Sequence, residues 1–428
     1  MLVTNLNQFL THKKILILGF GKEGQSTYNY LQTHVSSAKI EIADKNPALK
    51  INSPNLKLHL GPDYLNALNN DYDLIIKSPG ISIKNINTTP FIHKLTSQTD
   101  LFLKFYKNQV IGITGTKGKS TVASLLYHIL KTAQKDVQLI GNIGYPAFEI
   151  LDKIKDDTLL VYELSSHQLE FIKSSPHIAV LLNIYEEHLD FYDNFTAYKY
   201  AKCNIFKFQD YIDYFIYNKK DQNITEILAQ HSLKQESYPI YDQDHKLSTH
   251  LLGKHNLFNI NAAITVCQIL KIPAQAVKEG LSSYQPLPHR LEYVGKYNEI
   301  DYYNDSIATI PEATIAAINT LEKKLETIIL GGFDRKICYK ELCQTLLKSK
   351  IKNIILLPDT GNTLQSILNQ TKHHKNIKLV NTLEEAVTLA QDLTSPNKTC
   401  LFSPAAASYN QFKNFEERGN KFKKLINS

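Results

Sequence analysis

Short apolar runs recur along the chain, each closed by glycine, proline or polar residues, and between them apolar positions return every three or four residues. Lys14–Leu18, Ile40–Ala43 and 73–76 read as short buried strands, with a helix over Ser26–Gln32. The alternation starts afresh at Val110 and continues through 158–163, 178–183, 214–218 and a helix over 259–270. A turn-rich passage, Gln285-Pro-Leu-Pro288-His-Arg290, closes that stretch. Beyond it, 327–330, 351–357, 377–380 and 400–402 are again strand-like, separated by helical segments. Strands alternating with helices predict an α/β protein built on parallel sheets. The breaks divide it into three domains, 1–105, 106–292 and 293–428. No repeat of solenoid period and no low-complexity tract interrupts the pattern.

Length agrees with that division, since 428 residues exceed what a single core organises. No apolar run approaches the roughly 20 residues needed to cross a bilayer, so stable membrane insertion is not expected. Lys13 and Lys14 precede Ile-Leu-Ile-Leu, but the run is short, ends in Gly19-Phe-Gly21 and offers no cleavage site, as befits a strand. Five scattered cysteines without a CxxC pair suit free thiols in a reducing cytoplasm. The formal charge of +7 is a small surplus without a basic block. Stretches such as Lys350-Ile-Lys352 and Lys421-Phe-Lys-Lys424 read as solvated faces and not as nucleic-acid sites. Anionic small substrates suit the same surplus.

The densest chemistry lies at Gly112-Ile-Thr-Gly115-Thr-Lys117-Gly118-Lys119-Ser120-Thr121, between an apolar strand and a helix whose Val122, Leu125, Leu126, Ile129 and Leu130 share a face. Glycines let backbone N–H groups approach phosphate oxygens. Lys119 can reach the β/γ-phosphates of a nucleoside triphosphate, and a Ser120 or Thr121 hydroxyl can meet Mg²⁺. Ile113 stands where the general phosphate-loop pattern has its first glycine, and Gly112 falls one place early. A second glycine turn, Gly19-Phe-Gly21-Lys-Glu-Gly24, follows a strand and opens a helix, with Asp44 at the end of the next strand. Those are the parts of a dinucleotide fingerprint, and equally of a tight strand–helix turn. Lys77-Ser78-Pro79-Gly80-Ile81 follows a strand, where open α/β sheets bind ligands. Glu163 and His188 close two successive strands beyond the phosphate loop, placed to converge on the metal of a bound nucleotide.

Gly115-Thr-Lys-Gly-Lys-Ser-Thr121, Leu164-Ser-Ser166 after Glu163, Glu187-His188-Leu-Asp190, Tyr198-Lys-Tyr-Ala-Lys202, Gly253-Lys-His255-Asn256, Leu287-Pro-His-Arg290, Asn304-Asp-Ser306 and Ser403-Pro-Ala405 span nearly the whole chain. In that order they resemble the muramyl ligases, the ATP-dependent amino-acid-adding enzymes of peptidoglycan synthesis. The string from Ser403 to Gly419 resembles the glutamate-adding members. The resemblance implies Rossmann-like first and last domains around a P-loop ATPase-like central domain with a parallel sheet. It implies a cytoplasmic monomer that joins glutamate to UDP-N-acetylmuramoyl-L-alanine with ATP and two Mg²⁺ ions. ATP would be held by Gly115, Thr116, Lys117, Gly118, Lys119, Ser120 and Thr121, with Asn259 at adenine, Arg290 at phosphate and Asp305 at ribose. Ser120, Glu163, His188 and a carbamylated Lys202 would hold metal. Lys119, His188, Lys202 and Arg290 would form the catalytic set. The sugar nucleotide falls to Gly19, Phe20, Gly21, Gly24, Asp44, Lys45, Ser78, Pro79, Gly80 and Asn142, and glutamate to Thr309, Arg335, Ser408 and Phe415.

Two departures from the family pattern bear on the amino-acid pocket. Ile307 replaces the lysine that usually follows Asn-Asp-Ser, and Arg335 replaces the lysine of Gly-Gly-x-Asp-Lys. Arginine keeps a cation able to grip a carboxylate bidentately, and isoleucine keeps nothing ionic. Ala406 stands for the usual cysteine and Asn410 for an aspartate. D-glutamate is the expected amino acid. L-glutamate, a related ligase adding another acceptor (folylpolyglutamate or diamino acid), and an inactive nucleotide-sugar-binding protein are the alternatives.

Overall fold

The computed structural model describes residues 2–53, 56–241, 243 and 249–427. Of the stretch Gly253-Lys-His-Asn256, the side chains of Lys254 and His255 lie outside the described residues. The chain forms two compact units: Met1–Thr249 with Asn256–Tyr284, and His250–His255 with Gln285–Ser428.

The first unit carries two parallel sheets. One contains β1 (Lys14–Leu18), β2 (Lys39–Asp44), β3 (Lys57–Leu60), β4 (Leu74–Lys77) and β5 (Leu95–Thr96), in the order β3-β2-β1-β4-β5. The other contains β6 (Val110–Thr114), β7 (Val137–Gly141), β8 (Leu159–Glu163), β9 (Ile178–Leu181), β10 (Tyr214–Tyr217) and β11 (Glu236–Pro239), in the order β11-β10-β9-β6-β8-β7. Their central strands are buried over nearly their whole length and mostly apolar, with polar residues such as Lys77, Thr114 and Glu163 only at their ends, as in sheets covered on both faces. One continuous core runs from Ile15 and Ile17 through Phe102 and Phe148 to Tyr162, Leu181 and Phe215.

The second unit holds one sheet: β12 (Glu292–Tyr297), β13 (Ile300–Asn304), β14 (Leu325–Gly331), β15 (Asn353–Leu357), β16 (Asn376–Leu379) and β17 (Thr399–Phe402), in the order β12-β13-β17-β14-β15-β16. It is parallel apart from the hairpin β12–β13, whose register shifts between Tyr293 and Gly295. Separate apolar clusters pack its two faces, Ile328, Leu330 and Ile354 on one and Ile329, Ile355 and Phe402 on the other.

The α/β reading with parallel sheets therefore holds. Sequence patterning did not mark β3, β5, β7, β11, β12 or β13. All but β13 are edge strands, where one flank lacks a partner and polar residues such as those of Glu236-Ser-Tyr-Pro are tolerated. No helix among the described residues is long and apolar enough to cross a membrane.

The displaced glycine of the phosphate loop has a packing reason. Gly112 lies within β6, and a Cβ there would stand 2.4 Å from Pro176 Cγ and 3.1 Å from Leu164 Cδ1. The strand can accept the Pro176 ring only because no side chain intervenes. Gly112→Val is expected to lower stability by about 1–3 kcal/mol through overpacking, against roughly 0.5–1.5 kcal/mol for Ile113→Val beside it. Urea unfolding of the two variants checks the order.

Candidate functional site

The candidate residues collect at the carboxyl ends of the central strands, where neighbouring connections leave a sheet in opposite directions and open a crevice. In the first sheet that point lies between β1 and β4. Gly19, at φ +91°, ends β1 and donates its N–H to Ala43 O at 2.7 Å. Phe20 N donates to Asp44 Oδ2 at 2.7 Å, and Asn46 N to Asp44 Oδ1 at 2.8 Å. Asp44 thus holds the turn in shape with both carboxylate oxygens. Ser78 closes it from β4, its N donating to Leu18 O and its Oγ to Gly19 O. Gly24 is required because a Cβ would stand 2.1 Å from Gly19 O. Gly21 caps the helix Lys22–His34, while Gly21, Lys45 and Gly80 are exposed and Phe20 and Pro79 half-buried. The fingerprint residues therefore form one turn around the start of a helix.

The second crevice follows β6. Gly115 adopts φ +156° and would place a Cβ 2.9 Å from Leu182 Cβ. Gly118, at φ +89°, caps the helix Lys119–Thr132 and offers no side chain to occupy its first-turn N–H groups, which leaves the positive end of the helix facing the loop. Asn259, buried, crowds Gly118: a Cβ there would meet Asn259 Oδ1 at 2.5 Å. β9 fixes the loop from the other side. Thr116 N donates to Asn183 O at 2.9 Å, Lys117 N to Asn183 Oδ1 at 2.8 Å, and Asn183 Nδ2 returns a bond to Lys117 O at 3.0 Å. The Thr116 and Tyr198 hydroxyls meet at 2.9 Å. Lys117 Nζ pairs with Glu187 at 2.8 Å. Burial alone would raise the pKa of Glu187, and the Lys117 bond and charge bring it below the usual range.

Two lysines converge on one carbonyl of this loop. Lys119 Nζ and Lys202 Nζ each lie 2.9 Å from Gly115 O, and Lys119 also reaches Thr116 O at 3.1 Å. Lys202 is 2 % exposed. Burial, and then the charge of Lys119, drive its pKa well below that of a free lysine. Glu163 at the end of β8 is fully buried; Oε1 accepts from Asn142 Nδ2 at 3.1 Å and Oε2 has no partner. Asn142 also donates its N–H to Glu163 O at 3.0 Å. A buried carboxylate oxygen without a donor, in a unit where two ammonium groups share one carbonyl, fits a site for a metal ion and phosphates. Among the described residues no three His, Cys, Asp or Glu side chains gather as a metal cage. His188 adopts φ +61° beyond β9, with Nε2 3.7 Å from Glu187 and a pKa lowered mainly by burial. Ser120 and Thr121 lie in the first turn of the loop helix.

The third crevice lies in the second unit. Asp305, following β13, is buried and its pKa is pushed up to about 7, first by desolvation. Its carboxylate accepts from Ser403 Oγ at 2.8 Å and Leu291 N at 3.0 Å. Arg290 Nε is buried with no hydrogen-bond partner. Arg335 Nη2 donates to Thr309 O at 2.8 Å, which brings two of the glutamate-pocket candidates together. Ser408 is buried, and Phe415 O accepts from Ser306 Oγ at 2.9 Å. Ile307 donates its N–H to His289 O. Arg418, unmarked by sequence reading, is 1 % exposed and donates to Ser306 O, Ala406 O and Ala407 O, tying the strings after β13 and β17 together. Asn183, Tyr198 and His167 were likewise not singled out. Buried Tyr198 and Asn183 carry no local spacing signal, and their roles exist only once distant strands pair.

Sequence patterns of the Mur ligase middle domain and of the Mur ligase glutamate ligase domain match residues 113–244 and 289–406. The chain is 33% identical over 459 residues to a Clostridium botulinum protein named UDP-N-acetylmuramoylalanine–D-glutamate ligase, covering 99% of each. A Clostridium tetani protein of that name is 32% identical, covering 98% of this chain and 97% of its own. The fold is similar to that of the UDP-N-acetylmuramate-alanine ligase of Thermotoga maritima (TM-score 0.60, 18% identity, 96% of this chain and 99% of that one). It is also similar to that of the MurF ligase of Thermotoga maritima in complex with ADP (TM-score 0.61, 16% identity, 98% of this chain and 96% of that one). With full-length relatives at a third identity and family patterns on both its later sheets, the chain belongs to the Mur ligase family.

Proposed function

We propose that this protein is an ATP-dependent ligase that adds D-glutamate to UDP-N-acetylmuramoyl-L-alanine, working as a cytoplasmic monomer in peptidoglycan precursor synthesis. The observation that carries the reading is the pair Lys119 and Lys202 on the carbonyl of Gly115. Such a loop calls for anions, and a nucleoside triphosphate supplies them. The names of the full-length relatives give the substrates. The three domains are 1–105 for the sugar nucleotide, 106–292 for ATP and 293–428 for the amino acid.

In this reading the glycine turn at Gly19 holds the uridine diphosphate, and the loop at Gly115 holds the ATP phosphates. The alanine carboxylate attacks the γ-phosphorus; an O–P bond forms, the bond to the β-phosphate oxygen breaks and ADP leaves. The glutamate amine then attacks the acyl carbon of the resulting acyl phosphate, the C–N bond forms, inorganic phosphate departs and the nitrogen loses a proton. Both halves depend on neutralising charge at fixed positions more than on a protein nucleophile. Lys119 and Arg290 stabilise the transferring phosphoryl group, while Asn259 and Asp305 hold adenine and ribose. Ser120, Glu163, His188 and carbamylated Lys202 would hold two Mg²⁺ ions, which when bound neutralise phosphate oxygens. Arg335, Thr309, Ser408 and Phe415 receive the glutamate.

Lys202 suits carbamylation because burial, and then the charge of Lys119, lower its pKa well below that of a free lysine and so favour the neutral amine, whose lone pair is the nucleophile. That lone pair attacks the carbon of CO₂, a C–N bond forms, one C=O electron pair moves to oxygen and the nitrogen releases a proton. The product is an anion, which converts repulsion beside Lys119 into attraction.

Lys119→Ala is expected to lower kcat by roughly 10²–10³-fold in an ADP-release assay with the muramoyl substrate and D-glutamate, with the fold intact by circular dichroism. Near-normal turnover would remove the phosphate-loop assignment. Lys202→Ala should be inactive and partly rescued by a small carboxylate. Full activity with an unmodified lysine by mass spectrometry under bicarbonate would exclude the carbamate. Arg335→Ala should raise the KM for glutamate by roughly 10- to 100-fold, the loss of a charge-assisted hydrogen bond, and leave the KM for ATP near its original value. Product from L-glutamate but not D-glutamate would overturn the stereochemical assignment.

A further inference from the structure

His167 lies on the short helix Ser166–Leu169, four residues beyond Glu163. The backbone beneath it is rigid: Gln168 N donates to Ser165 Oγ at 3.3 Å and Ser165 N to Gln168 Oε1 at 2.8 Å. Gln168 is itself pinned, Nε2 donating to Glu23 Oε1 at 2.6 Å. The imidazole of His167 meets Phe191 edge-on at 4.1 Å between ring centroids, His188 at 4.8 Å and Tyr192 at 5.6 Å. That wall is fixed too. The N–H groups of Phe191 and Tyr192 donate to His188 O at 3.0 and 3.1 Å. From the far side, Ser82 Oγ donates to Phe191 O and Lys84 Nζ to Asp190 O. The ring therefore bridges two places: the stretch 77–84, which leaves the glycine turn of the first sheet, and His188.

An imidazole keeps at least one N–H donor in either charge state. Neither ring nitrogen of His167 has a hydrogen-bond partner among the described residues, although three aromatic rings fix its position. Packing alone would be served as well by phenylalanine, without a polar edge to satisfy. A held polar ring with an unused donor is how a specificity contact is built into an otherwise apolar pocket wall.

We propose that His167 is a further substrate-binding residue, donating a hydrogen bond to an amide carbonyl of the arm that joins the sugar to the reacting carboxylate of the sugar nucleotide. This rests on the functional reading above, in which the uridine diphosphate lies at the glycine turn and the carboxylate attacks a γ-phosphate held at the Gly115 loop, beside the metal-holding His188 and Glu163. A ligand spanning those points passes the His167 ring, and its acyl–alanyl arm offers carbonyl oxygens as acceptors.

The test compares wild type, H167F and H167Q. Loss of one hydrogen bond from a neutral donor is worth roughly a 3- to 10-fold change. H167F, which keeps the packing, should raise the KM for UDP-N-acetylmuramoyl-L-alanine by that factor. The KM values for ATP and glutamate and the Kd for UDP alone should stay within twofold, and the melting temperature should not change. H167Q, which restores a donor, should recover part of the loss. Unchanged constants for the sugar nucleotide in folded H167F overturn the proposal, as does an altered Mg²⁺ requirement in place of that change. If H167F does not fold, H167M serves as the apolar variant. Should wild type release no ADP with this substrate, the functional reading fails, and calorimetric titration of the same nucleotide into wild type and H167F decides the contact by itself.

Discussion

Two ammonium groups on one backbone carbonyl are an unfavourable arrangement unless something resolves it. Lys119 and Lys202 both reach Gly115 O at 2.9 Å, and Lys202 is buried. Like charges and desolvation act in the same direction here, each disfavouring the second positive charge. Both effects lower the pKa of Lys202, and the chain surrounds the loop with groups that hold its shape. Gly115 and Gly118 adopt backbone angles reserved for glycine, Asn183 clamps both Thr116 and Lys117, and Tyr198 reaches across from the helix Phe195–Lys207. Relaxed geometry would move the cations apart. The clamps fix the backbone carbonyls on which the two lysines converge, and a fixed loop is what a preorganised phosphate site requires.

That loop can exist because of where it stands in its sheet. β6 lies between β9 and β8, so a residue after each of the three strands faces the same crevice: Gly115 after β6, Asn183 after β9 and Glu163 at the end of β8. The same logic governs the first sheet, where Gly19 after β1 and Ser78 after β4 meet, and the third, where Asp305 after β13 meets Ser403 after β17. Parallel pairing puts strand ends of one polarity side by side. A single architecture thus provides three crevices without any local motif having to encode their partners.

This explains what was legible in the sequence. Glycine turns, buried strands and the Asp44 that follows one of them are local, and they read correctly because backbone constraint is local. Gly112 was the exception: it resembled a misplaced phosphate-loop glycine, and its reason lies in Pro176, more than sixty residues away in the chain. Edge strands such as Glu236–Pro239 were missed because half of their surface meets water and their polar residues cost nothing there. Asn183, Tyr198, His167 and Arg418 were given no role for another reason. Each acts through contacts made by tertiary folding, and no spacing rule marks an asparagine or tyrosine that will close on a loop formed elsewhere.

Several residues expected from sequence to contact ligands shape the site itself in the structure. Asp44 directs both oxygens at backbone N–H groups of its own turn, Asn142 binds Glu163 through main chain and side chain, and Asn259 packs on Gly118. A carboxylate has about four lone-pair sites and an amide several donor and acceptor positions, so holding a loop does not exhaust them. The two roles reinforce each other. A group already fixed by a backbone bond loses little freedom when a ligand arrives, and the ordering cost of binding falls accordingly. In the proposed function, substituting such a residue would remove a ligand contact and loosen the loop at once, so its effect on affinity would exceed that of one hydrogen bond. His167 differs in kind: its ring is held by aromatic packing with no side-chain hydrogen bond among the described residues, and a packing-conserving substitution separates position from chemistry.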